Sequence, residues 1–215
     1  MPVATLLAEP GRGRLPAATV EGLRRRWDGG EVRWLAADEA AEFPLSAGPA
    51  DLWDAWAALQ AEGVDLLVQP DGPRARRLLL ADMDSTVIGQ ECIDELAAEA
   101  GVGAEVAAIT ERAMNGEIGF EGALRARVAL LKGLPESIVG LVLETRVTLA
   151  PGGRTLVATM KARGARAALV SGGFTAFADA VAARLGFDEA RANRLLAQDG
   201  RLTGDGKSPA SWAWS

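Results

Sequence analysis

The stretch "LLLADMDSTVIG", Leu78–Gly89, decides how this chain is read. Its apolar run Leu78–Ala81 suits a short strand covered on both faces, the pattern of a parallel sheet. The run ends in Asp82 and Asp84, followed by Ser85 and Thr86. In open α/β sheets ligands collect beyond the carboxyl ends of the strands, where loops and helix N-termini present backbone N–H groups. The arrangement returns downstream. The apolar run Ala165–Val170 reads as a strand followed by the loop Ser171-Gly172-Gly173, and then by a predicted helix whose Phe174, Phe177, Val181 and Leu185 share a face, closed by Gly186.

The chain contains no histidine and one cysteine, Cys92. Ser-His-Asp and Cys-His nucleophile systems and histidine-ligated zinc therefore lack their central residue. Chemistry here must rest on carboxylates, hydroxyls, arginines or a metal held by oxygen. A carboxylate can attack phosphorus and give an aspartyl-phosphate, which splits one difficult displacement into two easier ones. Carboxylate and phosphate repel each other, so a cation must lie between them, and Mg²⁺ on oxygen ligands is the usual one. Asp82 is the candidate nucleophile and metal ligand. Asp84 is the candidate acid and base, and joins the metal through its backbone carbonyl. The N–H groups after Asp82, the Ser171 hydroxyl and the Gly172 N–H are the candidate phosphate cradle.

Composition sets the surroundings. With 215 residues, 49% of them hydrophobic, the chain can bury a core. A net charge of -6 is the reverse of a nucleic-acid or anionic-membrane footprint, and no run approaches the roughly 18 apolar residues of a membrane span. Met1–Arg14 lacks a secretory pattern, and a lone cysteine agrees with a reducing compartment, so the cytoplasm is expected.

Tryptophans at 27, 34, 53 and 56 are followed by none until 212 and 214, which marks a boundary in "QPDGPRARR", Gln69–Arg77. Residues 1–74 form a small α+β unit. It reads as strand Val3–Ala8, helix Pro16–Trp27, strand Val32–Ala36, a middle with no clear pattern, helix Asp51–Ala61 and strand Val64–Val68. The arginines at 24–26 read as a solvated helix face. From residue 75 to 204 an α/β pattern is interrupted by three or four helical segments, a module inserted at about 89–146. On the segment Phe120–Leu131, Arg127 lies seven residues after Phe120 and three after Leu124, so it projects along the apolar stripe, where an arginine calls for an anionic partner. Asp199-Gly200 between two extended runs signals a hairpin, and residues 205–215 read as an aperiodic tail. "GDGKS" at 204–208 is not a P-loop, because Arg201 stands where the first glycine is required.

"DMDSTV" and "LVSGGF" resemble the first two motifs of the haloacid dehalogenase superfamily. Together with "DMDSTVIGQECIDELA", "ITERAMNGEIGFEGALRARVALLKGLP" and "ANRLLAQDGRLTG", they resemble its phosphoserine phosphatase family over roughly residues 77–204. The resemblance implies a Rossmann-like parallel-sheet core with an inserted helical cap, preceded by a small accessory domain similar to an ACT domain. It implies hydrolysis of O-phospho-L-serine to serine and phosphate, the last step of serine biosynthesis, with Mg²⁺. By position Asp82 matches the nucleophile, Asp84 the acid/base, Glu91 the holder of the substrate ammonium, Arg127 the holder of its carboxylate, and Ser171 and Gly172 the phosphate binders. A small-molecule substrate and a homodimer are the expected partners. Rival readings are a non-catalytic amino-acid-binding or regulatory remnant, and a phosphatase for another small phosphorylated metabolite.

The family has two further motifs, a charge-balancing lysine and a "GDGxND"-like acidic metal loop. Neither is matched by Lys132, Lys161, Lys207 or the "GDG" at 204–206. The expectations that follow are a core incomplete at its C-terminus, as in a truncated or frame-shifted product, with weak Mg²⁺ binding, low turnover and an exposed apolar sheet edge along the strand that carries Asp82.

Overall fold

In the computed structural model, which describes residues 1–9, 15–70, 72 and 74–207, the backbone falls into two units, Met1–Arg74 and Ala75–Ser215. The first runs β1 (Pro2–Ala8), α1 (Ala17–Arg26), β2 (Arg33–Ala36), β3 (Ala40–Pro44), α2 (Leu52–Ala61) and β4 (Val64–Pro70). Its antiparallel sheet has the order β2-β3-β1-β4, the split pattern of a β-α-β-β-α-β plait. Ala4, Leu6, Phe43 and Leu66 from the sheet pack with Val20 and Leu23 of α1 and Leu59 of α2. The stretch without a clear pattern proves to be β3, paired with β1 from Val3↔Pro44 to Leu7↔Ala40. Glu42 sits buried within it, and Arg74 donates to both of its oxygens at 2.7 and 3.2 Å while Arg33 on β2 closes the other side. The Arg74 hydrogen bonds lead in holding this carboxyl below the usual glutamate range, against the opposing effect of burial.

The second unit contains β5 (Leu78–Ala81), α3 (Cys92–Glu99), α4 (Gly103–Met114), α5 (Phe120–Ala129), α6 (Ile138–Thr145), α7 (Gly153–Ala162), β6 (Arg166–Phe174), α8 (Thr175–Leu185), β7 (Glu189–Gln198) and β8 (Arg201–Lys207). The sheet order is β5-β6-β7-β8, parallel through β7 and antiparallel at β8. Asp199 and Gly200 both have positive φ, 52° and 73°, the type I′ turn that matches strand twist. The four helices α3–α6 follow β5; α3, α5 and α6 pack into the same apolar cluster as the sheet, and α4 packs on α3 and α5. Leu96, Val128, Leu131 and Val142 join Leu169, Phe177, Val181 and Leu185 in that cluster. A second anchor ties the module to the hairpin, where Gly133 N–H donates to Leu202 O at 2.8 Å and Leu202 N–H to Leu134 O at 2.9 Å.

Three readings are corrected. β5 is covered on one face only: Leu79 and Ala81 pack against the core, while Leu78 and Leu80 are 56% and 62% exposed on a sheet-edge strand. Ser171–Gly173 is extended backbone within β6 instead of a loop, and its pairing with β7 skips from Val170↔Arg191 to Phe174↔Asn193. Residues 205–207, read as the start of a tail, continue β8, while residues 208–215 lie outside the described residues, as do 10–14. No helix among the described residues is long and apolar enough to cross a membrane.

Candidate active site

β5 and β6 are parallel neighbours, so their carboxyl ends lie side by side and bring the aspartates of 82–84 against the glycines of 172–173. A cleft of about 320 Å³ opens there. It is lined by Asp82, Asp84 and Glu91, by Ile93, Phe120, Leu124 and Arg127 of the helical module, and by Ser171–Phe174. All six residues singled out from the sequence, Asp82, Asp84, Glu91, Arg127, Ser171 and Gly172, therefore share one cleft.

Asp82 is exposed at the end of β5. Its Oδ1 accepts from the Met83 N–H at 2.7 Å, which turns the carboxylate outward and engages one of the amides read as phosphate donors. Its Oδ2 has no hydrogen-bond partner among the described residues. Asp84 is half-buried and turned inward, where its Oδ1 accepts from the Cys92 N–H at 3.0 Å at the start of α3. Burial is the main reason its carboxyl stands above the usual range, and the nearby Glu91 and Asp82 add to it while Cys92 opposes it. Burial also pushes the Cys92 thiol up, with Asp84 next in importance, in keeping with its packed, 1% exposed position.

Neither glycine has positive φ, so what each provides is clearance, tight at Gly173 and slight at Gly172. A Cβ on Gly173 would lie 2.8 Å from Asp84 Oδ2 and 3.1 Å from both Met83 Cε and Ser171 Oγ. On Gly172 it would lie 3.2 Å from Phe120 Cζ. Ser171, 2% exposed, accepts from Gly173 N–H at 2.9 Å, so it braces the strand end and leaves the first turn of α8 alone. Asn193 on β7 donates to Gly172 O at 2.7 Å from the other side.

Across the cleft stand the ionic groups of the helical module. Glu91, exposed, is the residue before α3, and its Oε1 accepts from Ser85 Oγ at 2.7 Å. Ser85 itself is held at φ 50°, a left-handed conformation uncommon outside glycine. Arg127 is half-buried, donates at 3.3 Å to Ala123 O, lies 3.5 Å from Thr110 Oγ1, and forms no ion pair with any described residue. A half-buried guanidinium with no ion pair can still take an anionic partner. Asp94, the acidic group that senses it, is raised by burial and then by Glu91, with Arg127 acting the other way.

The residues read as metal ligands, the Asp82 carboxylate and the Asp84 backbone carbonyl, would offer a divalent cation oxygen donors only. No group of three or more metal-binding side chains converges among the described residues. That donor set suits Mg²⁺ in kind, because this ion keeps several waters and is commonly held by one or two carboxylates plus substrate phosphate.

Ser85, Phe120 and Gly173 were not singled out from the sequence. Phe120 announces itself only by being a large apolar side chain left 67% exposed at a helix start, which the structure alone reveals.

Residues 79–214 match the model of the haloacid dehalogenase-like hydrolase family. Among curated relatives, a phosphoserine phosphatase of Archaeoglobus fulgidus is 46% identical over 169 residues, 76% of this chain and 49% of that protein. One of Streptomyces coelicolor is 51% identical over 146 residues, 67% of this chain and 35% of that protein. Among solved structures, a phospho-aspartyl intermediate analogue of phosphoserine phosphatase superposes with a TM-score of 0.57 at 44% identity, covering 63% of this chain and 64% of that one. The chain thus spans about half or less of the length of these two curated relatives.

Proposed function

The chain belongs to the haloacid dehalogenase-like hydrolase family, and from that premise we propose that its cleft is built to hydrolyse O-phospho-L-serine to serine and phosphate through a phosphorylated Asp82. The observation that carries this reading is the half-buried Arg127 without an ion pair, sharing one cleft with Glu91 and with the open carboxylate of Asp82. A ligand that satisfies all three carries an anion for Arg127, a cation for Glu91 and an electrophile for Asp82. Phosphoserine has a carboxylate, an ammonium and a phosphoryl group.

Asp82 Oδ2 attacks phosphorus as the bond from phosphorus to the serine oxygen breaks. Asp84 gives its proton to the departing alkoxide. In the second half Asp84 takes a proton from water, the water oxygen bonds to phosphorus, and the acyl-phosphate bond to Asp82 opens to release inorganic phosphate. Ser171 and the backbone of Gly172 face the phosphoryl oxygens. Asp82 and the Asp84 carbonyl would hold Mg²⁺, which when bound masks the repulsion between carboxylate and phosphate. The Rossmann-like core is assigned to residues 75–204, with a helical cap at about 89–146. The plait of residues 1–74 is read as an ACT-like accessory domain that pairs two copies, and the protein as cytoplasmic.

The test is phosphate release from O-phospho-L-serine with and without Mg²⁺, on this chain and on Asp82→Asn. Magnesium-dependent release lost in Asp82→Asn supports the proposal. Release that survives the substitution overturns it, and serine binding without any release favours an amino-acid-binding module instead.

A further inference from the structure

Two chain crossings join the helical module to the sheet, one through residues 85–91 and one through 146–150, and they meet. Gly89 N–H donates to Thr148 O at 3.0 Å, Ala150 N–H donates to Val87 O at 2.9 Å, and Ile88 and Leu149 form an isolated antiparallel bridge. A two-stranded ribbon this short is marginal by itself. The side chain of Gln90 completes it: its Nε2 donates to Thr148 Oγ1 at 2.8 Å, and its Oε1 accepts from Thr148 N–H at 2.9 Å. Thr148 thereby spends its N–H, its C=O and its hydroxyl on two consecutive residues, 89 and 90. The backbone of Gln90 faces the other way, and its carbonyl accepts from the Ser85 N–H at 3.2 Å. Ser85 in turn donates its hydroxyl to Glu91. One residue thus links the crossing ribbon to the strained serine and to the glutamate of the cleft.

We propose that Gln90 is a positioning residue: its amide clasp on Thr148 welds the two crossings into one ribbon and so fixes the backbone that presents Glu91 to a ligand's cationic group. The half-buried Gln90 can do this because the module is anchored again at Leu202, so closing the ribbon removes the remaining freedom at the cleft end. Two hydrogen bonds, each worth roughly two- to tenfold in an equilibrium constant, decide whether so small a ribbon stays shut. The second half of this inference, what Glu91 receives, rests on the function proposed above; the clasp itself does not.

Amide exchange on the full chain tests the clasp without a ligand. Gln90→Met keeps the length and removes both polar contacts, while Gln90→Glu keeps oxygens that accept from the Thr148 N–H and hydroxyl. Exchange at Gly89, Thr148 and Ser85 is expected to quicken roughly fivefold or more in the methionine variant and to return toward the parent rate in the glutamate variant. Unchanged exchange in the former, or no recovery in the latter, overturns the clasp. Calorimetry then compares O-phospho-L-serine with the same phosphate ester lacking the amino group. Gln90→Met is expected to weaken the first several-fold and leave the second alone. Equal weakening of both would mean a general structural effect and would overturn the positioning role. If the parent chain binds both ligands equally, the ammonium reading of Glu91 falls, while the exchange result still decides the clasp.

Discussion

Replacing Gly173 by alanine adds one methyl group where three neighbours already meet, and none of the three can retreat freely. Met83 is fully buried, Ser171 is 2% exposed, and the Asp84 carboxylate is held by the Cys92 N–H at 3.0 Å. The new Cβ would lie 2.8 Å from Asp84 Oδ2, closer than such contacts occur, so strand β6 or the Asp84 side chain has to move. Overpacking of this kind costs about 1 to 3 kcal/mol. Gly172 supplies the control. Its Cβ would meet only Phe120 Cζ at 3.2 Å, and Phe120 is 67% exposed and free to swing away. Both substitutions remove the same unfolded-state freedom of glycine, a gain of about 0.4 to 1 kcal/mol that cancels in the comparison. Gly173→Ala should therefore fall below Gly172→Ala by about 1 to 3 kcal/mol in urea unfolding, or roughly 3 to 12 °C in the midpoint of the second unit. The measurement is circular dichroism of both variants beside the parent chain. Equal stabilities within about 0.5 kcal/mol would show that the strand end is not tightly packed against Asp84, and would remove the steric reason given for the second glycine.

Other positions give independent checks. Gly204→Ala faces both a positive φ of 83° and a Cβ 2.9 Å from Lys132 Cβ, whereas Gly200→Ala at φ 73° has open space. The first should cost about 2 kcal/mol or more and the second about 1 kcal/mol by chemical denaturation; the reverse order would contradict the packing of β8 on the helical module. Glu42 has its folded pKa lowered chiefly by Arg74, so its contribution is fully present above the unfolded glutamate value and is lost as pH falls through the folded one. Unfolding of the first unit followed by tryptophan fluorescence should weaken across that acid range, and Glu42→Gln should flatten that part of the pH dependence; an unchanged slope would refute the pairing. Arg127→Met should raise the KM for phosphoserine roughly 10- to 100-fold, as expected for losing a charged hydrogen-bond pair, while leaving a substrate without the carboxylate unaffected. Equal losses on both substrates would mean that Arg127 only supports the helix.

What could be read in advance depended on whether a residue's role is set by its own chain neighbours. Asp82 and Asp84 at a strand end follow from residue type and order, and the inward aim of Arg127 follows from helical spacing to Phe120 and Leu124, so the cleft gathered those residues as expected. β3 had no readable pattern because a glutamate stands in its middle. Glu42 is tolerated there only because Arg33 pairs with it across the strands and Arg74 reaches it from 32 residues away, and neither fact is local. Ser171-Gly172-Gly173 carries turn residues, yet its backbone stays extended. The glycines serve clearance, against Asp84 for one and Phe120 for the other, and not a turn. The contact of Gln90 with Thr148 spans 58 residues and involves two unremarkable polar side chains, which is why no spacing betrays it. The placement of residues in this cleft was thus legible where the backbone delivers it, and hidden where separate segments must meet. By the proposal above the second kind of contact positions Glu91, so substitutions that look silent in the sequence, Gln90→Met among them, are where the proposed geometry is most exposed to test.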